Sequence, residues 1–150
     1  MTEPQPILYA EDDENDTILV TRAVEQAALA HPLVVVASGA DAIRYLQGTG
    51  DFADRSKHPL PCLAMIDLNM PGKSGLEVLD WIRTNEPIRL LPVLILTSST
   101  QDSDIQQSYR RGANGYLVKP GSPIELLTMV RAIKEFWFKQ SRLPRMPASG

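Results

Sequence analysis

Five short apolar runs, each followed by a stretch with helical spacing, constrain this chain more than any other feature. The runs are Ile7-Leu8-Tyr9-Ala10, Leu33 to Ala37, Cys62 to Ile66, Leu91 to Leu96, and Gly115-Tyr116-Leu117-Val118. Their apolar residues are continuous rather than alternating. That is the pattern of parallel strands covered on both faces. Parallel neighbours need long crossovers, and the intervening stretches are long enough to supply helices. Strand and helix alternate five times, which predicts one α/β domain with a parallel sheet and right-handed crossovers.

The helical stretches carry their own start and stop signals. The first spans roughly Asn15 to Ala30, with Leu19, Ala23 and Ala27 at helical spacing, and the second Ala40 to Leu46. The third opens at Ser74, whose partner Glu77 completes a capping-box pattern, and stops before Pro87. The fourth runs from about Gln101 to Arg111, with acids early, basic residues late and Gly112 as its stop. The fifth opens at Ser122-Pro123 and extends to about Phe138. Residues 48–61 form a long polar loop, and residues 140–150 show no apolar period.

With 150 residues the chain suits one domain that folds without a staple. A net charge of −3 argues against a broad basic surface, so nucleic-acid binding is not expected. No apolar run reaches the roughly 20 residues a membrane helix needs, and the first residues carry no signal pattern. The single cysteine, Cys62, opens an apolar run, so a buried inert thiol in a reducing cytoplasm is expected.

Function in open parallel sheets gathers beyond the carboxyl ends of the strands. The first strand ends in Glu11-Asp12-Asp13, the third in Asp67, the fourth in Thr97-Ser98-Ser99 and the fifth in Lys119-Pro120. Carboxylates brought together repel, by about 4 kcal/mol for a pair roughly 4 Å apart at an effective dielectric of 20. Lys119 and a hard, oxygen-loving cation such as Mg²⁺ are the available remedies. No His or Cys cluster offers a softer site. Blander readings stand beside this one: Asp13 or Asp16 as a cap of the first helix, and Asp67 as a cap of the turn after it.

Four segments, in order and each at a strand end, resemble the response regulator receiver family. They are residues 7–12, Ile66 to Gly75, Pro92 to Ser98, and Gly112 to Pro120. The likeness covers Ile7 to about Phe138 and implies a flavodoxin-like, doubly wound (βα)5 sheet of order 2-1-3-4-5. It implies that Asp67 is the phosphoacceptor for a sensor histidine kinase. It implies Mg²⁺ held by Asp12, Glu11, Asp67 and the Asn69 main-chain carbonyl. Glu11-Asp12 is the preferred acidic pair because it follows the apolar strand directly; Asp12-Asp13 is the alternative. Lys119, the Thr97 hydroxyl and the Ser98 backbone amide would support the phosphoryl oxygens. Lys119-Pro120 resembles the family's cis peptide. Thr97 and Tyr116 resemble the coupled switch pair that reports to the helix 4, strand 5 and helix 5 face. The family's members are signalling proteins whose chemistry is limited to their own phosphorylation and dephosphorylation.

The expected division is an N-terminal tail over residues 1–6, a receiver domain over 7–138 and a flexible tail over 139–150. Helix five carries a core stripe of Leu126, Leu127, Val130, Ile133 and Trp137, with Met129 and Phe136 on its flank. The extra apolar surface predicts a homodimer through helix four, strand five and helix five. The alternative is that the tail folds over this face. The long loop and the aromatic end of helix five resemble the subgroup paired with bacterial phytochromes, making a bacteriophytochrome the expected kinase. Rival functions are a Mg²⁺-dependent phosphatase, a nucleotide- or flavin-binding module and a non-phosphorylated interaction module. The phosphatase type expects an Asp where Asn69 stands, and the acids after the first strand would repel a bound phosphate.

Overall fold

Each strand of this chain is only four or five residues long, and the sheet they form is parallel throughout. The structure, a computed structural model, describes residues 4–147. The order is β1 (Ile7–Ala10), α1 (Glu14–Gln26), β2 (Leu33–Val36), α2 (Gly39–Gln47), β3 (Leu63–Ile66), α3 (Gly75–Thr84), β4 (Val93–Thr97), α4 (Asp102–Arg110), β5 (Gly115–Val118) and α5 (Pro123–Ile133). The strands lie in the order β2-β1-β3-β4-β5, with Ile7 opposite both Leu33 and Leu63. The flavodoxin-like expectation and its strand order are therefore met.

Alternate residues of each strand feed two separate cores, because successive side chains point to opposite faces. Leu8, Ala10, Ala64, Ile66, Val93 and Ile95 pack with α2 and α3. Ile7, Tyr9, Leu63, Met65, Leu94 and Leu96 pack with α1 and α5. Three of the helices begin at hydroxyl caps: Ser38, Ser74 and Ser122 each accept an amide three residues on. Among the described residues no helix is long and apolar enough to cross a membrane.

Several boundaries differ from expectation, each for a local reason. Helix α1 stops at Gln26 rather than Ala30, because Ala28 turns into the left-handed region at φ 55°. The long polar loop is tied down. Arg55 donates to the carbonyls of Tyr45, Leu46 and His58, satisfying the open end of α2, where Gly48 holds φ 73°. Tyr45, Phe52 and His58 pack their rings beneath it. Helix α5 gives way after Ile133 to a wider π-helical stretch, Lys134–Gln140, which stacks Phe138 on His31 with ring centroids 4.3 Å apart.

The segment expected as a flexible tail is anchored at Met146. Met146 is buried, and the Gln5 side chain bonds both its carbonyl and its amide. Residues 148–150 of that tail, and 1–3 of the N-terminal one, lie outside the described residues. Cys62 is buried as expected, and burial pushes its thiol up to about 11. The Lys119-Pro120 bond is trans, contrary to expectation, since no cis peptide occurs among the described residues. Trans is the lower-energy isomer by about 0.5–1 kcal/mol, and Lys119 reaches the acidic side chains from it.

Candidate functional site

The parallel ladder runs one residue past the end of three strands and thereby aims the site. The Glu11 amide donates to Val36 at 3.0 Å, the Asp67 amide to Ala10 at 3.1 Å and the Lys119 amide to Thr97 at 2.8 Å. The backbone of each charged residue is thus held by its neighbouring strand. Gly75 tightens the arrangement: a Cβ there would sit 2.3 Å from the Asp67 carbonyl oxygen. Only glycine lets α3 start this close to the Asp67 turn.

The side chains converge on one ammonium. Lys119 Nζ donates to Glu11 Oε1 at 2.5 Å, to Asp16 Oδ2 at 2.7 Å and to Asp67 Oδ2 at 2.9 Å. Glu11 is almost wholly enclosed; it also accepts from the Tyr9 hydroxyl and the Asp13 amide, both at 3.2 Å. The Asn69 amide donates to Asp67 Oδ1 at 3.2 Å. Asp12 is exposed, and carboxylate oxygens of Glu11, Asp12 and Asp67 lie within 4.8 Å of one another.

Protonation follows from this geometry. Burial pushes Glu11 up to about 7; Lys119 and the Asp13 amide oppose the rise, and nearby Asp67 adds to it. Burial works against the Asp67 charge too, but Lys119 and the Asn69 amide outweigh it and hold that carboxyl below its ordinary range. Burial disfavours the charge on Lys119, yet Asp16, Glu11 and Asp67 together hold it firmly protonated, above the usual lysine value. Lys119 is bonded to three of the four carboxylates gathered here, and Asp12 is the fourth, so acids outnumber the one ammonium. The donors are all oxygen, three of them close enough to share an ion, which suits a hard divalent cation.

Glu11, Asp12, Asp67 and Lys119 are thus gathered in one place. The other expected residues lie around them. Asn69 follows on the Asp67 turn, and Ser98 is exposed in the loop after β4. Thr97 is buried at the tip of β4, its hydroxyl 3.5 Å from the Ser99 amide. Tyr116 is half-buried, and its hydroxyl donates to the Ser99 carbonyl at 2.9 Å. Asp13 keeps its bland role and caps α1 through the Asp16 amide at 3.0 Å.

Two members of the site escaped sequence reasoning. Asp16 reads in the sequence as a possible cap, yet it follows Asp12 by four residues, one turn along the chain as it enters a helix. Tyr9 reads in the sequence only as a strand residue. It stands two residues before Glu11, which puts both on the same face of the extended chain.

Comparison with known proteins follows the same lines as the geometry. A family profile described as the response regulator receiver domain matches residues 7–131. Response regulator Rcp1 of a Synechocystis strain is 35% identical over 141 residues, covering 94% of each chain. The crystal structure of its Mn²⁺-bound form superimposes with a TM-score of 0.84 at 34% identity, over 95% of this chain and 100% of that one. The structure of the phosphorylated cyanobacterial phytochrome response regulator RcpA gives a TM-score of 0.87 at 32% identity, over 95% of this chain and 99% of that one.

Proposed function

This chain belongs to the response regulator receiver domain family, and on that premise we propose that it accepts a phosphoryl group from a sensor histidine kinase on Asp67. A receiver domain of this kind is a component of two-component signalling rather than a conventional enzyme. The observation that carries the reading is the Lys119 ammonium bound to Glu11, Asp16 and Asp67 at the carboxyl ends of the strands.

The chemistry needs an ionised nucleophile, and Asp67 is held below the ordinary carboxylate range. Its carboxylate oxygen attacks the phosphorus of a phosphohistidine. An O–P bond forms, the N–P bond breaks, and the imidazole nitrogen leaves with the electron pair and takes a proton. The transferring group spreads charge over its oxygens, so catalysis is mainly positioning and electrostatic support. Lys119, the Thr97 hydroxyl and the Ser98 amide are the protein's donors for those oxygens. Glu11, Asp12, Asp67 and the Asn69 carbonyl would hold a divalent cation, Mg²⁺ by the all-oxygen donor set, which would supply positive charge to offset that of the phosphoryl oxygens.

The signal leaves through Thr97 and Tyr116. The Tyr116 hydroxyl is bonded to the Ser99 carbonyl, so a shift of the Thr97–Ser99 segment reaches β5 directly. The output surface is α4, β5 and α5, where Tyr109 and Val118 are exposed, as is Phe136 in the π-helical stretch that continues α5. A second copy of the chain covers this face as a homodimer, which light scattering tests; a monomer both with and without phosphorylation excludes it. The likeness to RcpA supports a bacterial phytochrome as the kinase, acting in the cytoplasm.

Labelling with acetyl phosphate tests the central step. Wild-type protein takes up label only with Mg²⁺, and Asp67→Asn takes up none. Label retained by that variant places the acceptor elsewhere and sinks the proposal.

A further inference from the structure

The end of the sheet opposite the acidic site carries a second concentration of charge, of the other sign. Arg83 at the end of α3, Arg89 and Leu90 in the approach to β4, and Arg110 and Arg111 at the end of α4 line one cleft of about 500 Å³. Among the described residues no carboxylate lines it. The chain as a whole is net negative, at −3, so this gathering is not the overspill of a basic protein.

Local structure accounts for part of it. Arg83 is a clamp: it donates to the carbonyls of Gly112, Arg89 and Leu91 and to Asn114 Oδ1. Those acceptors are neutral, so its bonds are satisfied while its charge is not. One cation at the end of α4 answers the helix dipole, but the dipole does not call for four around one cleft. Arg111 pairs with Asp80 at 2.8 Å and Arg89 with Glu86 at 3.4 Å. The Arg89–Glu86 pair is 50% and 82% exposed, so it is worth little and readily exchanged. Among the described residues Arg110 has no ion pair within the same limit. Amid these cations Leu90 stands 64% exposed, the second most exposed large apolar side chain after Ile124 among the described residues.

We propose that this cleft docks an acidic segment of a partner protein, with a large apolar side chain of that segment seated against Leu90. Charge complementarity selects an acidic occupant. The exposed leucine selects a peptide rather than a nucleic acid, for which stacking aromatics would be wanted, and none lines the cleft. The cleft and Thr97 lie at opposite ends of β4, separated by the strand's roughly 16 Å length. No residue of the cleft belongs to the acidic site, so docking needs no contact with Asp67: the acidic end takes the phosphoryl group, and the basic end holds a partner.

The probe is a fluorescein-labelled peptide with four glutamates on each side of a phenylalanine, titrated by anisotropy into the full chain at low salt. Saturable binding is expected, weakening as ionic strength passes about 0.1 M, where the Debye length falls to about 10 Å. The charge-reversed double variant Arg89→Glu/Arg110→Glu is expected to bind at least about tenfold more weakly. Leu90→Ser, which adds no charge, gives the same direction from a different chemistry, and Asp67→Asn binds as wild type does. Both altered arginines and Leu90 are outside the core, so an unchanged thermal midpoint certifies the fold. No binding to the wild-type chain, or binding as tight as wild type's by either the double variant or Leu90→Ser, overturns the proposal. So does equal affinity for an oligonucleotide of the same charge, or for the peptide with serine replacing its phenylalanine. Loss of binding in Asp67→Asn overturns the independence of the two ends.

Discussion

Lys119 and Arg83 are both cations drawn into the protein at opposite ends of the sheet, and their partners differ in kind. Lys119 is bonded to three carboxylates that would repel one another without it. Arg83 is bonded to carbonyls and an amide oxygen that belong to turns. At the acidic end charge is left over after the chain has made its bonds, which is what the proposed binding of an ion and acceptance of a phosphoryl group would require. At the Arg83 end the bonds themselves are the purpose, because they tie together main-chain acceptors that the turns before β4 and after α4 leave open. A half-buried cation thus signals function or architecture according to whether its acceptors are charged.

Lys119→Met should test the contrast most severely. Removing one partner of a buried ion cluster typically costs roughly 3–5 kcal/mol. Urea unfolding in the presence of a chelator should show a loss of that order, and Mg²⁺ should restore much of it by taking over the lysine's charge. Acetyl phosphate labelling should still fall at least about tenfold, since no metal replaces a donor aimed at the phosphoryl oxygens. A variant that Mg²⁺ does not rescue would place Lys119 with Arg83 as architecture.

Arg83→Met should give the opposite profile. Several carbonyls lose their donor at once, at about 1–3 kcal/mol for each acceptor left unsatisfied and less where water enters. A loss of roughly 2–3 kcal/mol is expected, blind to Mg²⁺, with labelling at Asp67 retained. Strong dependence on Mg²⁺ would mean that the two ends are coupled through β4.

Gly75→Ala should sharpen the comparison by disturbing the acidic end through packing alone. The new methyl meets the Asp67 carbonyl at 2.3 Å, so backbone must move. Overpacking of this kind costs about 1–3 kcal/mol, and displacement of Asp67 should slow labelling as well. Asp13→Ala should have the smallest effect. It removes the α1 cap and about 1 kcal/mol of stability, while labelling stays within a factor of two to three. A large labelling defect there would bring Asp13 into the site and reopen the choice of acidic pair.

Sequence by itself determined the alternation of elements, because a continuous apolar run buried on both faces and a helical stripe buried on one leave different patterns. It also determined which charged residues stand where strands stop, and the resemblance that follows from them supplied the strand order. Tertiary structure alone decided which of those residues meet. Asp16 joins Lys119 because of how α1 leaves β1, a contact between residues 103 positions apart. The clamps of Arg55 and Arg83 left no trace in the chain, since a carbonyl acceptor belongs to every residue and its need for a donor appears only once a turn has buried it. The same holds for Met146 on Gln5, a contact across 141 positions of sequence. Apolar periodicity is a local property, whereas satisfaction of a polar group depends on what the fold brings beside it.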